Sequence, residues 1–335
     1  MNSHKSPIEL LFVIAPHSLL LDVAGPAEAF RLANLALADR KQPPRFQLRF
    51  AGPGANTVTS VGLSLELEPL PKALSDSTWV VVVGQPSVHA RQLSSAVHHI
   101  AQWLGRVLGE SLETPDTRHR LVTVCSGALI AARAGLVDGR RCTTHHDLLA
   151  TLRSLAPRAQ VMENRVFVID GPVATSAGVT AGIDLALHLI TEECGEAITA
   201  AVAEDMVVYL RRTHRDPELS PFLVGRRHAH PAVHRVQDAV STQPERDWTM
   251  REMAQVGHVT ERHLLRLFVR HAETSPLQFL RTVRLERARQ LIERGAGIGR
   301  AAEVAGFRSP LHMRRAWLRQ WGGSPRDAQA MSPPA

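Results

Sequence analysis

The sequence predicts an α/β chain: a three-layer α/β/α parallel-sheet N-terminal domain, followed by an all-α domain with two helix-turn-helix units. Three observations predict it. Short apolar runs alternate with amphipathic stretches through roughly the first two-thirds of the chain. One motif is written twice near the C-terminus, and the basic charge is confined to that duplicated part. At 335 residues the chain exceeds one typical core and suits two domains.

In the front domain, set at 7–212, Ile8–Ile14, Phe46–Phe50, Trp79–Val83, Leu121–Val124, Val166–Ile169 and Val173–Thr175 are expected as strands. Several are almost continuously apolar, as strands buried on both faces of a parallel sheet must be. Between them Pro26–Ala38, Ser94–Leu108, Gly127–Ala134, Asp147–Leu155 and Ala181–Glu193 are expected as helices. In the last, Ile183, Leu187 and Ile190 fall at i, i+4 and i+7, one apolar stripe. A further helix is expected over Glu196–Thr213, and 213–231, rich in Arg, His and Pro, reads as a linker.

The back domain, set at 232–330, opens with an expected helix over Ala232–Ser241 that carries Val233, Val236 and Val240 on one face. The first copy of the motif then runs from Ala254 through Val259, Thr260, Leu264, Arg266 and Phe268 to Ser275-Pro276. The second runs from Ala302 through Phe307, Arg308, Met313, Arg315 and Trp317 to Ser324-Pro325. The offset is 48 at the alanines (302 − 254) and 49 from Leu264/Met313 onward (313 − 264). A small residue lets two helices cross closely, an apolar residue plugs the turn, and the next helix turns one polar face outward. Ser275 followed by Pro276 predicts the start of a connecting helix over Pro276–Ile292.

In the first copy Thr260 is expected to cap a helix that faces Glu261, Arg262, Leu265, Arg266 and Arg270 outward and Leu264, Leu267 and Phe268 inward. In the second, a helix starting near Ser309 is expected to present Leu311, His312, Arg314 and Arg315, with Met313, Trp317 and Trp321 inward. Arginine forks onto guanine O6 and N7, which suits Arg262, Arg266 and Arg315, while Arg308, Arg314 and Arg319 suit phosphates. Leu265 and Leu311 can touch a thymine methyl or nothing. From Arg226 onward there are 19 Arg, no Lys and 10 acidic residues, a balance of +9. Upstream, 20 basic and 22 acidic residues leave −2. Two such helices on a basic domain imply a reader of double-stranded DNA, bound in successive major-groove segments.

Three cysteines make no disulfide framework, and no run approaches the length of a membrane span, so a cytoplasmic protein without a membrane partner is expected. No cofactor is expected. No metal site is expected either: His228, His230 and His234 lack a completing ligand, and the neighbours His145 and His146 are expected to diverge.

Leu121-Val-Thr-Val-Cys-Ser-Gly-Ala128 reads as a buried strand, a tight turn and a helix, the layout of a nucleophile elbow with Cys125 at its tip. His145 follows 20 residues later (145 − 125). On these residues, and on Leu21-Asp-Val-Ala-Gly-Pro-Ala-Glu-Ala-Phe30 and Ala174-Thr-Ser-Ala-Gly-Val-Thr-Ala-Gly-Ile-Asp184, the front domain resembles the ThiJ/PfpI-like, class I glutamine amidotransferase-like family. That resemblance implies a Cys–His pair, with Asp22 or Glu28 as the acid beside it. Gly84-Gln85 stands where hydrolase-like members carry paired glycines at their oxyanion site, so Cys125 and His145 are read as vestigial.

Arg284-Leu-Glu-Arg-Ala-Arg289 and Ala305-Gly-Phe-Arg-Ser309 make the back domain resemble the AraC/XylS-type DNA-binding domain. Together the two resemblances imply a transcriptional regulator rather than an enzyme, with activation more expected than repression. A small-molecule effector would be held by Asp22, Glu28, Cys125, Ser126 and His145. RNA polymerase and a second copy of the chain are the other expected partners. The alternative is a cysteine-dependent hydrolase or hydratase with an appended DNA-binding domain.

Overall fold

In the computed structural model the described residues are 6–86, 94–114, 116–208, 230–293 and 295–325. They fall into two compact units, Met1–Glu218 and Leu219–Ala335. The front unit is built on a seven-stranded sheet. Its strands are β1 (Ile8–Val13), β2 (Phe46–Gly52), β5 (Glu68–Pro69), β6 (Thr78–Val82), β7 (Arg120–Val124), β10 (Phe167–Asp170) and β11 (Val173–Ser176), in the order β10-β11-β7-β6-β1-β2-β5. All pairings are parallel except the β10–β11 hairpin. Two short ribbons stand apart: β3 (Asn56–Val58) with β4 (Ser64–Glu66), and β8 (Arg141–Cys142) with β9 (Gln160–Val161).

Alternation along the strands divides the core in two. Leu10, Phe12, Ile14, Val81, Val122 and Val124 face α1 (Leu20–Asp39), α5 (Thr180–Cys194) and α6 (Glu196–Asp205). Leu11, Val13, Val80, Val82 and Leu121 face α2 (Ser95–Leu108), α3 (Gly127–Arg133) and α4 (Leu149–Leu155). Both faces are covered, which is why the strands read as near-continuous apolar runs.

Of the boundaries that differ from expectation, three have a cause in the packing or the turn beside them. Helix α1 begins at Leu20 and carries Pro26 inside it, buried. A proline there forgoes only the bond to the Asp22 carbonyl, and its ring approaches α5, where a Cβ on Gly182 would lie 3.3 Å from Pro26 Cγ. Helix α6 stops at Asp205 because Val207 turns left-handed (φ 54°) and Val208 N–H donates back to the Ala203 carbonyl. Pro231 is the first residue of a helix rather than linker. The rest of the expected linker, and residues 209–213 of the expected helix, lie outside the described residues.

The back unit contains α7 (Pro231–Thr242), α8 (Met250–Gly257), α9 (Glu261–Ala272), α10 (Pro276–Glu293), α11 (Ile298–Val304) and α12 (Pro310–Trp321). Its apolar residues form two clusters. The first gathers Val233, Val236, Met253, Ala254, Leu264 and Phe268 with Phe279, Leu280 and Val283 of α10. The second gathers Ala301, Ala302, Phe307, Met313 and Trp317 with Leu285, Ala288 and Ile292 of the same helix. The Ser275 hydroxyl accepts from Gln278 N–H, so α10 starts at the expected cap. Between the clusters Glu286 and Arg289 pair at 2.5 Å with almost no exposure.

Candidate functional site

The front site is set by the turn after β7. Cys125 takes φ 55°, its N–H donates to the Ser176 carbonyl, and its own carbonyl accepts from the Thr144 hydroxyl at 2.8 Å. A positive φ at a non-glycine residue costs about 1–3 kcal/mol and persists only where the surroundings enforce it. They do so here. Gly178 (φ 97°) is pressed so close that a Cβ on it would sit 2.3 Å from that of Cys125. The thiol side chain is 4% exposed.

Asp22 lies beside it, fully buried. Its Oδ1 accepts from Val179 N–H at 2.8 Å, while Oδ2 makes no hydrogen bond of acceptable geometry. Burial pushes its carboxyl up from 3.8 to about 6, against the opposing pull of the Val179 and Gly84 amides and the Cys125 thiol. Of the two acids the sequence offered, Asp22 is the one brought to Cys125. Glu28 is on the exposed face of α1, paired with Arg31 at 2.6 Å.

The Ser126 hydroxyl is buried between the backbone atoms of Gln85: it accepts from Gln85 N–H at 2.6 Å and stands 2.8 Å from its carbonyl. The Gln85 amide is therefore already engaged at the place where an oxyanion site would need a free donor. Gln85 Nε2 donates to the Pro16 carbonyl, and Pro16 also lines a cavity of about 340 Å³ with Asn56, Thr57, Ser95 and His99. A larger cavity of about 830 Å³ lies at the other ends of the strands, beside Ile8, Trp79 and Arg120. Open parallel sheets bind ligands at their carboxyl ends, the side on which the smaller cavity lies, but Asp22, Cys125, Ser126 and His145 are not among the residues that line it.

His145 and His146 do not diverge. Their rings stack with centroids 4.1 Å apart, and Asp147 carboxylate oxygens lie 3.7 Å from His145 Nδ1 and 3.5 Å from His146 Nε2. The bend into the short 3-10 turn His146–Leu148 brings them together, which adjacent positions on a regular helix or strand would not. Among the described residues these three are the one grouping of His, Cys or carboxylate donors close enough to share an ion. His145 Nδ1 accepts Asp147 N–H at 3.3 Å, so Nε2 is the ring nitrogen by which it would ligate.

The back site is two matched helices. Thr260 caps α9 by accepting from His263 N–H, and Ser309 caps α12 by accepting from His312 N–H. Each helix has twelve residues and ends at a left-handed residue, Glu273 or Gly322. Helix α8 is fixed ahead of the first by a full capping box between Thr249 and Glu252. Ahead of the second, Gly306 (φ 83°) crosses so near Glu245 that a Cβ would lie 2.5 Å from its Cα.

Arg262, Leu265, Arg266 and Arg270 are exposed on α9, and Leu311, His312, Arg314, Arg315 and Arg319 on α12, with Arg308 exposed at the turn before it. Thr260 and Ser309 are exposed at the helix starts. The His263 ring meets Arg266 Nη2 at 3.1 Å. His312 packs edge-on against Phe307, and burial with the nearby Arg281, Arg284, Arg308 and Arg319 holds its pKa below the usual value. Two features escaped the sequence reading. Val269 is outward and 57% exposed. Trp321, expected inward, is 42% exposed at the last turn of its helix, where Trp317 meets it edge-on at 4.4 Å.

Comparison with known proteins follows this division. A model described as a helix-turn-helix domain matches 253–331, and one described as the DJ-1/PfpI family matches 111–192. The HTH-type transcriptional regulator GbdR of Pseudomonas aeruginosa is 35% identical over 98% of this chain and 86% of its own length. The HTH-type transcriptional regulator CdhR of the same species is 30% identical over 96% and 91%. An isonitrile hydratase of Pseudomonas putida is 42% identical, but over only 22% of this chain and 32% of its own.

Proposed function

This chain belongs to the HTH-type transcriptional regulators that join a DJ-1/PfpI domain to an AraC-type helix-turn-helix domain, and is itself a DNA-binding regulator of transcription; we propose that it reads an asymmetric site in two successive major-groove segments under the control of a small molecule held in the front domain. One observation carries this reading. Two capped twelve-residue helices, 49 positions apart, each turn arginines outward at the same register, Arg266 and Arg315.

In this reading Arg262, Arg266 and Arg315 contact guanines, while Thr260, Arg308, Ser309, His312 and Arg314 hold the backbone, and Leu265 and Leu311 complete the reading faces. We set the domains at 7–212 and 232–330 with 213 onward joining them, the first helix of the back domain beginning already at Pro231. The effector meets Asp22, Cys125, Ser126 and His145 at the carboxyl ends of the strands. The buried carboxyl of Asp22, an acceptor at the carboxyl ends of the strands, favours a ligand that brings a hydrogen-bond donor. Ligand binding activates transcription by favouring a DNA-competent or polymerase-contacting state, which requires different affinities for the two states. Among the described residues no helix is long and apolar enough to cross a membrane, and we take the cytoplasm as the place where this DNA reader meets RNA polymerase and a second copy of itself.

The test is capture of fragmented genomic DNA of the source organism by the full chain at about 0.15 M salt, beside Arg262→Ala/Arg315→Ala. A few upstream regions sharing a two-part motif, lost in the double variant, support the reading. Arg262→Ala alone is expected to cost about 1–3 kcal/mol on the recovered site and little on random duplex. Equal losses on both would make Arg262 a phosphate contact.

A further inference from the structure

The two recognition helices share their frame but differ in chemistry at outward registers, with leucine and arginine exchanged at the second (Arg262, Leu311) and at the fifth (Leu265, Arg314). Counted from the caps Thr260 and Ser309, the sixth residue is arginine in both, Arg266 and Arg315. The second residue is Arg262 in one and Leu311 in the other. Both lie in the first turn of their helix, the part that reaches base edges when such a helix enters the major groove.

Leu311 is 56% exposed and belongs to neither apolar cluster of the back domain; Met313, Ala316 and Trp317 supply the inward face of α12 instead. Its surface therefore contributes nothing to the fold that the inward residues do not already supply. Arg308, Arg314 and Arg315 surround it in sequence, all exposed, a setting that suits a polyanion rather than an apolar protein surface. The major groove of DNA offers a leucine one apolar group, the C5-methyl of thymine.

We propose that Leu311 is a specificity-determining residue that reads a thymine methyl in the second half-site, at the register where Arg262 reads a guanine in the first. The inference rests on the DNA-reading function proposed above and makes it chemical. The half-sites are unequal: one carries a G·C pair and the other an A·T pair at the corresponding position. Arginine at this register is answered by two acceptors and leucine by a methyl, so neither half-site can substitute for the other.

The experiment starts from duplexes recovered by the full-length chain from a random-sequence pool. Each thymine of the second half-site is then replaced singly by deoxyuridine, which removes the methyl and keeps the base pairing. Wild-type affinity is expected to fall about fourfold at one position, the worth of one buried methyl group, and to hold elsewhere. Leu311→Ala, an exposed change that leaves the unfolding midpoint in place, should bind the thymine and deoxyuridine duplexes equally at that position. Leu311→Arg should move the preference there from A·T to G·C. A wild type blind to every methyl in the half-site, or a Leu311→Ala that still senses it, overturns the proposal. Recovery of no shared motif by the wild type would instead overturn the DNA reading beneath it.

Discussion

The Cys125 crevice and the pair of recognition helices are opposite kinds of site. In the crevice Asp22, Ser126 and Cys125 have almost no exposed surface and are tied to the packing, and the turn that carries Cys125 is held by its neighbours. On α9 and α12 the functional side chains stand in solvent above a core that does not need them. A site of the first kind cannot change without disturbing the fold. A site of the second kind can lose its function and keep its stability.

That contrast can be broken by experiment, starting with the largest effect. Gly178→Ala puts a methyl against Cys125 at a positive φ and should cost about 4 kcal/mol, read as a drop in the urea midpoint of the full chain. A variant within about 0.5 kcal/mol of wild type would mean that the crevice is loosely packed. Next comes Asp22→Asn. Because folding raises the Asp22 pKa from 3.8 to about 6, the unfolded chain releases this proton first. Its contribution to stability is whole below about pH 4 and is lost as pH rises through about 6, amounting to about 3 kcal/mol. The difference in stability between wild type and variant should therefore change across that window and stay flat above it. A parallel pair of curves would remove Asp22 as the buried acid.

The smallest effects lie on the reading side. Thr260→Ala and Ser309→Ala should each cost about 1 kcal/mol by loss of a helix cap, in chemical unfolding, and the two should add. A cost near zero at one of them would show that its helix is held by packing alone.

Much of this was legible in sequence, and for identifiable reasons. The duplicated motif survives inspection because Thr260, Ser309, Leu264 and Met313 are fixed by capping and burial at one spacing. The strands that lead into Cys125 and Val83 are five residues each and buried on both faces, so their apolar runs stand out. What was hidden depended on contacts remote in sequence. The choice of Asp22 over Glu28 is made by Val179, 157 residues away, which no local pattern reveals. Pro26 marks a helix start in isolation, yet the surrounding packing carries α1 through it. Strands β3, β4, β5, β8 and β9 are two or three residues long, too short for any period to register. The stacking of His145 on His146 comes from a bend whose angle the residue types do not encode.

Helix α10 has one further consequence. It serves the first apolar cluster with Phe279, Leu280 and Val283 and the second with Leu285, Ala288 and Ile292, so a single rod of 18 residues sets both readers. Lengthening such a rod by one residue advances it 1.5 Å and turns it about 100°. Adding one base pair between half-sites advances the duplex about 3.4 Å and turns it about 35°. No single step of one can match a single step of the other. On the proposed two-segment reading, an operator that gains or loses a base pair is therefore lost to this regulator at once, with no neighbouring protein sequence to recover it. Its targets can drift in their letters but not in their spacing.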